Sequence, residues 1–167
     1  MELLKFATEW AKAEVFSARF FILFALMFLI ASLGFWQLGK TEMAKAFIIP
    51  TLVAGALLMA VGVGILFTNK ARVTSFTEAY NTNPTEFVKS EIARTEQSMS
   101  EYKTIVFKVI PVIIAVAALM IVFIDRPIWR AICITTIGMM VVILLVDSNA
   151  NARILEYHKQ LELADKL

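Results

Sequence analysis

Residues 20–39 read FFILFALMFLIASLGFWQLG and contain no charged side chain. The stretch begins directly after Arg19 and ends directly before Lys40. An α-helix rises about 1.5 Å per residue, so about 20 apolar residues cross the hydrocarbon core of a bilayer. This stretch is therefore long and apolar enough to form a membrane-spanning helix.

Three further apolar stretches have the same character: one lies between Lys45 and Lys70, and the others are residues 105–124 and 128–146. The chain of 167 residues is 59% hydrophobic and only 18% charged, with a mean hydropathy of +0.75. An average soluble domain is roughly 45–50% apolar and about 25% charged. The composition therefore excludes a soluble or disordered chain. It predicts an all-α integral membrane protein with four transmembrane helices arranged as two hairpins.

Helical periodicity and turn residues divide the chain into five segments. Leu3, Phe6 and Trp10 recur at helical spacing, which predicts an amphipathic helix on the membrane surface, although a plain extension of the first span gives the same pattern. We assign residues 1–18 to this amphipathic helix, 19–68 to the first transmembrane hairpin, 69–104 to a cytoplasmic helical hairpin, 105–146 to the second transmembrane hairpin and 147–167 to a C-terminal cytoplasmic helix.

The turn of the polar hairpin is set by four residues, Asn81 to Pro84. Asparagine and threonine favour turns, and proline suits the first turn of a helix because its missing N–H would have no partner there. No helix breaker interrupts residues 69–80. The second span is therefore expected to continue as a helix beyond the membrane and to end at this turn.

The distribution of lysine and arginine predicts the orientation in the membrane. Residues 1–19, residues 69–104 and the tail from Asp147 together hold eleven of these side chains, whereas the two short connections hold four. Positively charged residues concentrate on the cytoplasmic side of membrane proteins. We expect both termini in the cytoplasm and the protein in a bacterial inner membrane, with the lipid bilayer as its first partner.

Several classes of chemistry are excluded by the residues that the chain lacks. Cys133 is its only cysteine, so a disulfide framework cannot form within the chain. His158 is its only histidine and lies in the polar tail, whereas Cys133 lies inside an apolar stretch, so no common site for a cysteine–histidine catalytic pair is expected. No nucleotide-binding or hydrolase motif is present, and the balanced charge of +2 argues against nucleic-acid binding. We predict a protein that is not an enzyme and has no cofactor and no metal site.

The apolar stretches contain no acidic residue; Asp125 and Asp147 stand at their ends. Ion-coupled transporters normally carry a carboxylate or histidine at membrane depth. Lys108 is the one charged residue well inside a stretch. Its side chain is expected to reach the headgroups by snorkelling, and an anion site is the alternative. Pro111 is expected to kink the third span, because proline removes a backbone hydrogen bond.

Small residues in the second span predict close helix packing, since they let backbones approach one another. Whether they face another span or a second subunit stays open in the sequence. These residues are Gly55, Ala56, Ala60, Gly62 and Gly64.

An apolar stripe on the polar hairpin predicts contact with a partner. We expect a non-catalytic scaffold or accessory subunit, either a small homo-oligomer or part of a larger membrane complex. The alternatives are an oligomeric channel with a hydrophobic gate and a carrier of small molecules or lipids, whose mark would be a polar cavity between the hairpins. The stripe consists of Val88, Ile92, Met99 and Tyr102.

Overall fold

The computed structural model describes residues 2–166, so Met1 and Leu167 of the first and last predicted segments lie outside the described residues. The described chain is helical, with four stretches long and apolar enough to cross a membrane. This confirms the predicted all-α membrane class. The elements are α1 (Glu2–Leu38), α2 (Glu42–Ala46), α3 (Ile48–Thr82), α4 (Pro84–Glu101), a π-helical segment (Tyr102–Val109), α5 (Ile110–Phe123) and α6 (Pro127–Asp165).

The turn between α3 and α4 lies where the sequence predicts it. Helix α3 continues to Thr82, Asn83 is extended, and α4 begins at Pro84. The Asn83 side chain accepts a hydrogen bond from the Glu86 backbone N–H at 3.2 Å. Asparagine thus caps the new helix, and proline occupies the position where no N–H is needed.

Residues 2–18 continue α1 without a break, so the predicted separate helix on the membrane surface is wrong. The alternative of an extended first span is correct. Ala7, Trp10 and Ala11 belong to one buried cluster with Tyr157 and Leu161 of α6. Trp10 of the predicted apolar face is therefore covered by the protein itself, whereas Phe6 remains exposed.

The polar end segments of α1, α3, α4 and α6 pack against one another around a shared core. We call residues 2–18, 69–104 and 147–166 the polar half, and residues 19–68 and 105–146 the spanning half. Burial of apolar surface from water stabilises the polar half, whereas close van der Waals packing must hold the spanning half together in lipid. The core of the polar half consists of Ala7, Trp10, Ala11, Phe76, Phe87, Val88, Ile154, Tyr157 and Leu161. The core of the spanning half consists of Phe21, Ala25, Leu58, Val142 and Val146.

Helices α1 and α3 pack closely and antiparallel along the spanning half. A Cβ added at Gly55 would lie 3.0 Å from the Ala25 carbonyl oxygen, and one added at Gly62 would lie 2.9 Å from the Phe21 Cβ. The Ser32 hydroxyl donates to the Ile48 carbonyl at 2.8 Å near the end of this contact. Glycine is therefore required at two positions by the close approach of the helices.

Helix α5 diverges from the rest of the spanning half. Among the described residues it contacts α6 and the π-helical segment, whereas α4 contacts both α3 and α6. An apolar cavity of about 270 Å³ lies between α3 and α6, with Ile49 and Ile132 among its lining residues. In the spanning half, α5 therefore packs against α6 and does not contact α1 or α3 among the described residues.

A π-helical segment joins α4 to α5. The Ile110 N–H donates to the Ile105 carbonyl, five residues earlier. Pro111 follows directly; it has no N–H, and its ring would clash with the carbonyl four residues before it in an α-helix. The wider π-helical turn relieves this clash. The predicted kink at Pro111 thus lies beside altered hydrogen bonding, while its bend angle stays a prediction.

Candidate functional site: a charged interhelical cavity

A cavity of about 160 Å³ lies where the polar half meets the spanning half. Residues from α1, α3, α4, the π-helical segment and α6 all line it. Below it toward the spanning half are Phe21, Ile65 and Val146, and beside it toward the polar core are Trp10 and Ile154. Its charged lining residues are Glu14, Arg72, Arg94 and Asp147, and its uncharged polar ones are Ser17, Asn69, Ser98 and Tyr102.

Helical spacing explains why these polar side chains meet. On α1, Glu14 and Ser17 precede the core residue Phe21 by seven and four positions, so all three share one helix face. On α3, Asn69 and Arg72 follow Ile65 by four and seven positions in the same way. The inward face of each helix is therefore apolar within the span and becomes polar one turn beyond it.

Glu14 is held by an arginine on the neighbouring helix. The Arg153 guanidinium of α6 donates to Glu14 Oε1 from Nε at 3.1 Å and from a terminal nitrogen at 2.9 Å. The same terminal nitrogen donates to the Ser17 hydroxyl at 2.8 Å. The Glu14 side chain is only 9% exposed, so this pair joins α1 to α6 beneath the surface of the protein.

Arg94 is held in a second network around an aromatic side chain. Its guanidinium donates to both carboxylate oxygens of Glu91, at 2.8 and 2.6 Å. The Tyr157 hydroxyl donates to the same carboxylate at 3.0 Å, and burial raises the pKa of this hydroxyl. The Trp10 ring stacks on Tyr157 at 5.3 Å, and the Arg94 guanidinium lies 4.5 Å from the Trp10 ring centroid. Cation–π contact of this kind favours a charged Arg94 beside the cavity.

Asp147 and Arg72 line the cavity without an ion-pair partner among the residues that the structure describes. Arg72 donates to the Asn69 amide oxygen at 3.0 Å, which is a neutral acceptor. Burial and, to a lesser extent, repulsion from Glu14 raise the pKa of Asp147 to about 6. Burial and then repulsion from Arg94 lower the pKa of Arg72. Attraction from Glu91 and Glu14 acts on Arg72 in the opposite direction, and its guanidinium lies 5.8 Å from the Trp10 ring centroid. Neither Asp147 nor Arg72 has the close ion pair that Glu14 and Arg94 have within residues 2–166.

Polar side chains elsewhere in the polar half are satisfied within the chain. The Thr95 hydroxyl lies 2.7 Å from His158 Nδ1, and His158 Nε2 lies 3.4 Å from a Glu162 oxygen. No group of three metal-ligating side chains is found within residues 2–166. The cavity differs from the others in that four charged side chains from four elements line it.

The stripe predicted to meet a partner packs largely within the chain. Val88 is buried in the core of the polar half, and Ile92, Met99 and Tyr102 are partly buried against it. Tyr102 also lines the charged cavity. A partner contact at these residues stays a prediction, and the side chains chosen for it already have intramolecular neighbours.

The small residues of α3 divide into two groups. Gly55 and Gly62 are buried against α1, whereas Ala56, Ala60 and Gly64 lie on the exposed face of the helix. Lys108 is also exposed, on the surface of the π-helical segment. Neither the exposed small residues nor Lys108 lines the charged cavity.

The charged cavity itself was not predicted from the sequence. Glu91 and Arg94 resemble a solvated pair on a helix surface, and Asp147 resembles an ordinary residue at the end of a span. A usable signal was present, because Glu14 and Asp147 fall on the same helix faces as the apolar residues beside them. Charged residues that continue the apolar face of a helix indicate a buried polar site, and this criterion selects Glu14 and Asp147.

Comparisons of this chain with protein-family models, with curated proteins and with solved structures found no match.

Proposed function

We propose that this chain is an integral membrane protein that binds a small polar ligand between its helices, as a binding or carrier protein. The observation that carries this proposal is the cavity lined by all four long helices, in which Asp147 and Arg72 have no ion-pair partner among residues 2–166. Both side chains are partly buried, and a partly buried charge without a partner loses hydration that water or a ligand can replace. Ionisable groups with shifted pKa values in a cleft are typical of functional sites.

The size of the cavity limits the ligand. A volume of about 160 Å³ is smaller than the roughly 300–1,000 Å³ of pockets that hold drug-sized molecules. It holds about five water molecules at about 30 Å³ each. The ligand is therefore a small molecule, or the headgroup of a larger one whose remainder extends out of the cavity.

The scaffolding function predicted from the sequence has less support than this binding function. Its basis was an apolar stripe in need of a partner, and that stripe is already packed against the polar core. The expected mark of a carrier was a substrate-sized polar cavity between the hairpins, and the charged cavity is a small polar cavity between the helices. No feature of the described residues favours the channel alternative over the carrier.

The orientation in the membrane is part of the proposal. We propose that the helices cross a bacterial inner membrane as two hairpins and that the polar half, with both termini, lies in the cytoplasm. Support comes from the excess of lysine and arginine in the polar half. The cavity then lies at headgroup depth on the cytoplasmic side.

Native mass spectrometry of the protein released from membranes in mild detergent tests the binding function. We expect the wild type to retain a small adduct that Ser98→Leu loses, because Ser98 lines the cavity and leucine fills it. Ser100→Leu is the matched control, since Ser100 is exposed on the same helix. If Ser98→Leu does not fold, Asn69→Leu alters another wall of the cavity with little change in volume. A wild type without an adduct, or an adduct that both cavity variants keep, contradicts the proposal.

A further inference from the structure

The charges around the cavity are separated by sign. The two carboxylates, Glu14 and Asp147, come from α1 and α6, which contact each other. The two guanidinium groups, Arg72 and Arg94, come from α3 and α4, which also contact each other. The cavity therefore has an acidic wall and a basic wall on different pairs of helices.

One charge on each wall is already neutralised by the protein. Glu14 pairs with Arg153 at 2.9 Å, and Arg94 pairs with Glu91 at 2.6 Å. Asp147 and Arg72 remain, one on the acidic wall and one on the basic wall. Repulsion from Glu14 acts on Asp147, whereas Arg72 is repelled by Arg94 and attracted by Glu91 and Glu14 without forming a close ion pair with either carboxylate.

The charges of Asp147 and Arg72 predict which charges a bound ligand carries. A simple anion bound to Arg72 would leave Asp147 uncompensated and would face the carboxylates. A simple cation bound to Asp147 would leave Arg72 uncompensated. Asp147 and Arg72 are both partly shielded from water, and a ligand with one positive and one negative group compensates both charges at once.

We propose that the ligand of this cavity is a small zwitterion that carries a primary ammonium group and a phosphate or carboxylate group; this rests on the proposed binding function. The ammonium binds Asp147, because it offers three N–H donors to an acceptor-only carboxylate. The anionic group binds Arg72, whose planar guanidinium matches the two oxygens of a phosphate or carboxylate. The same chemistry occurs in a phosphatidylethanolamine headgroup and in free phosphoethanolamine or an amino acid.

Fluorescence of Trp10 gives a direct readout, because this side chain lines the cavity. Trp36→Phe together with Trp129→Phe leaves Trp10 as the only tryptophan of the three in the chain. In phosphatidylcholine nanodiscs, we expect phosphoethanolamine or glycine to change Trp10 emission in a saturable way. Inorganic phosphate alone and ethanolamine alone should have no effect at the same concentrations. Nanodiscs that contain phosphatidylethanolamine test whether the ligand is a lipid headgroup. If it is, Trp10 emission in these nanodiscs differs from that in phosphatidylcholine nanodiscs before any compound is added.

Two neutralising variants test the assignment of the walls. Asp147→Asn and Arg72→Gln should each weaken binding by about tenfold or more, a loss of one ionic hydrogen-bonded contact. Asp165→Asn and Lys70→Gln are matched controls, because both residues are exposed on the same two helices, and they should bind as the wild type does.

Each outcome bears on the proposal. A zwitterion effect in either nanodisc series, lost in both neutralising variants, supports it and identifies the source. Equal binding of inorganic phosphate, unaffected by Asp147→Asn, would show a simple anion site and contradict it. Absence of any response also contradicts it. If mass spectrometry then still finds an adduct that Ser98→Leu loses, the binding function stands and only the ligand class is wrong.

Discussion

Individual charged side chains at the boundary between the two halves determine the properties of the cavity. Arg153 is the partner of Glu14, which is 9% exposed, whereas the pair of Lys159 with Glu156 is 69% and 64% exposed. A carboxylate that loses its partner beneath the surface remains desolvated, and a carboxylate at the surface is rehydrated by water. The two pairs therefore compare a shielded ion pair between α1 and α6 with an exposed ion pair within α6.

Arg153→Met is expected to lower the free energy of unfolding by about 2–3 kcal/mol, somewhat below the roughly 3–5 kcal/mol of fully buried pairs because Arg153 is partly exposed. Denaturant unfolding in detergent measures the change. Lys159→Met is the control and should cost about 0–1 kcal/mol. Equal effects of the two substitutions would show that the Glu14–Arg153 pair is not held inside the protein.

The pKa of Asp147 predicts a dependence of stability on pH. The pKa of Asp147 is about 6 in the folded protein and 3.8 ordinarily. Between these two pH values, the folded state holds a proton that the unfolded state has lost. Stability from this group is full below about pH 4 and is lost as the pH rises through 6. The groups facing it are Glu14 on α1 and Tyr102 on the π-helical segment, whose pKa is raised mainly by burial and also by both carboxylates.

Asp147→Asn should therefore raise the melting temperature of the ligand-free protein at pH 7.5. The difference from the wild type should shrink as the pH falls and vanish near pH 4. Thermal unfolding in detergent without zwitterionic lipid measures it, with Asp165→Asn as an exposed control that changes nothing at either pH. A melting temperature that Asp147→Asn lowers at pH 7.5 would mean that the carboxylate has a stabilising partner.

At the scale of helices, the contact between α1 and α3 requires glycine at some positions and not at others. A Cβ at Gly62 would lie 2.9 Å from the Phe21 Cβ and 3.1 Å from the Ile22 backbone nitrogen, so a neighbour must move. A Cβ at Gly64 would have nothing within 4 Å. Two glycines only two positions apart on one helix thus lie in opposite environments.

Gly62→Ala is expected to destabilise the protein by about 1–3 kcal/mol through overpacking. Gly64→Ala should be neutral or stabilising by up to about 1 kcal/mol, because alanine favours the helix. Both are measured by denaturant unfolding in the same detergent. Similar destabilisation by both substitutions would contradict the packing of α1 on α3, and a change of oligomeric state in Gly64→Ala would indicate a second copy on the exposed face.

The helices were predictable because their signals are local. Four apolar stretches and the Asn81–Pro84 turn depend only on neighbouring residues, and all are present in the structure. The role of residues 2–18 was not predictable in this way. Their apolar face fits either lipid or protein, and only the packing of Trp10 on Tyr157, far apart in sequence, decides for protein.

For the whole molecule, the expected topology places the polar half in the cytoplasm. With Cys133 replaced by alanine, Glu42→Cys should react with an impermeant maleimide added to intact spheroplasts. Gln160→Cys should react only after lysis, because it lies in the polar half near the C-terminus. The labelling pattern on a gel measures this. Reaction of Gln160→Cys in intact spheroplasts would reverse the orientation.

The cavity is a property of the whole molecule and was the least predictable feature. Glu14, Arg72 and Asp147 are separated by more than fifty residues along the chain, and their meeting depends on the packing of three helices. The sequence indicated correctly that no carboxylate lies inside an apolar stretch. It could not indicate that the charges at the ends of these stretches surround one common space.

The most direct test of ligand binding is an experimental structure of the wild type in nanodiscs containing phosphatidylethanolamine, at a resolution that shows side chains. We predict density in the cavity between Arg72 and Asp147 that belongs to no protein atom and contacts both side chains. A cavity closed by a direct ion pair between Arg72 and Asp147, or filled by another side chain of the protein, would contradict the proposed function.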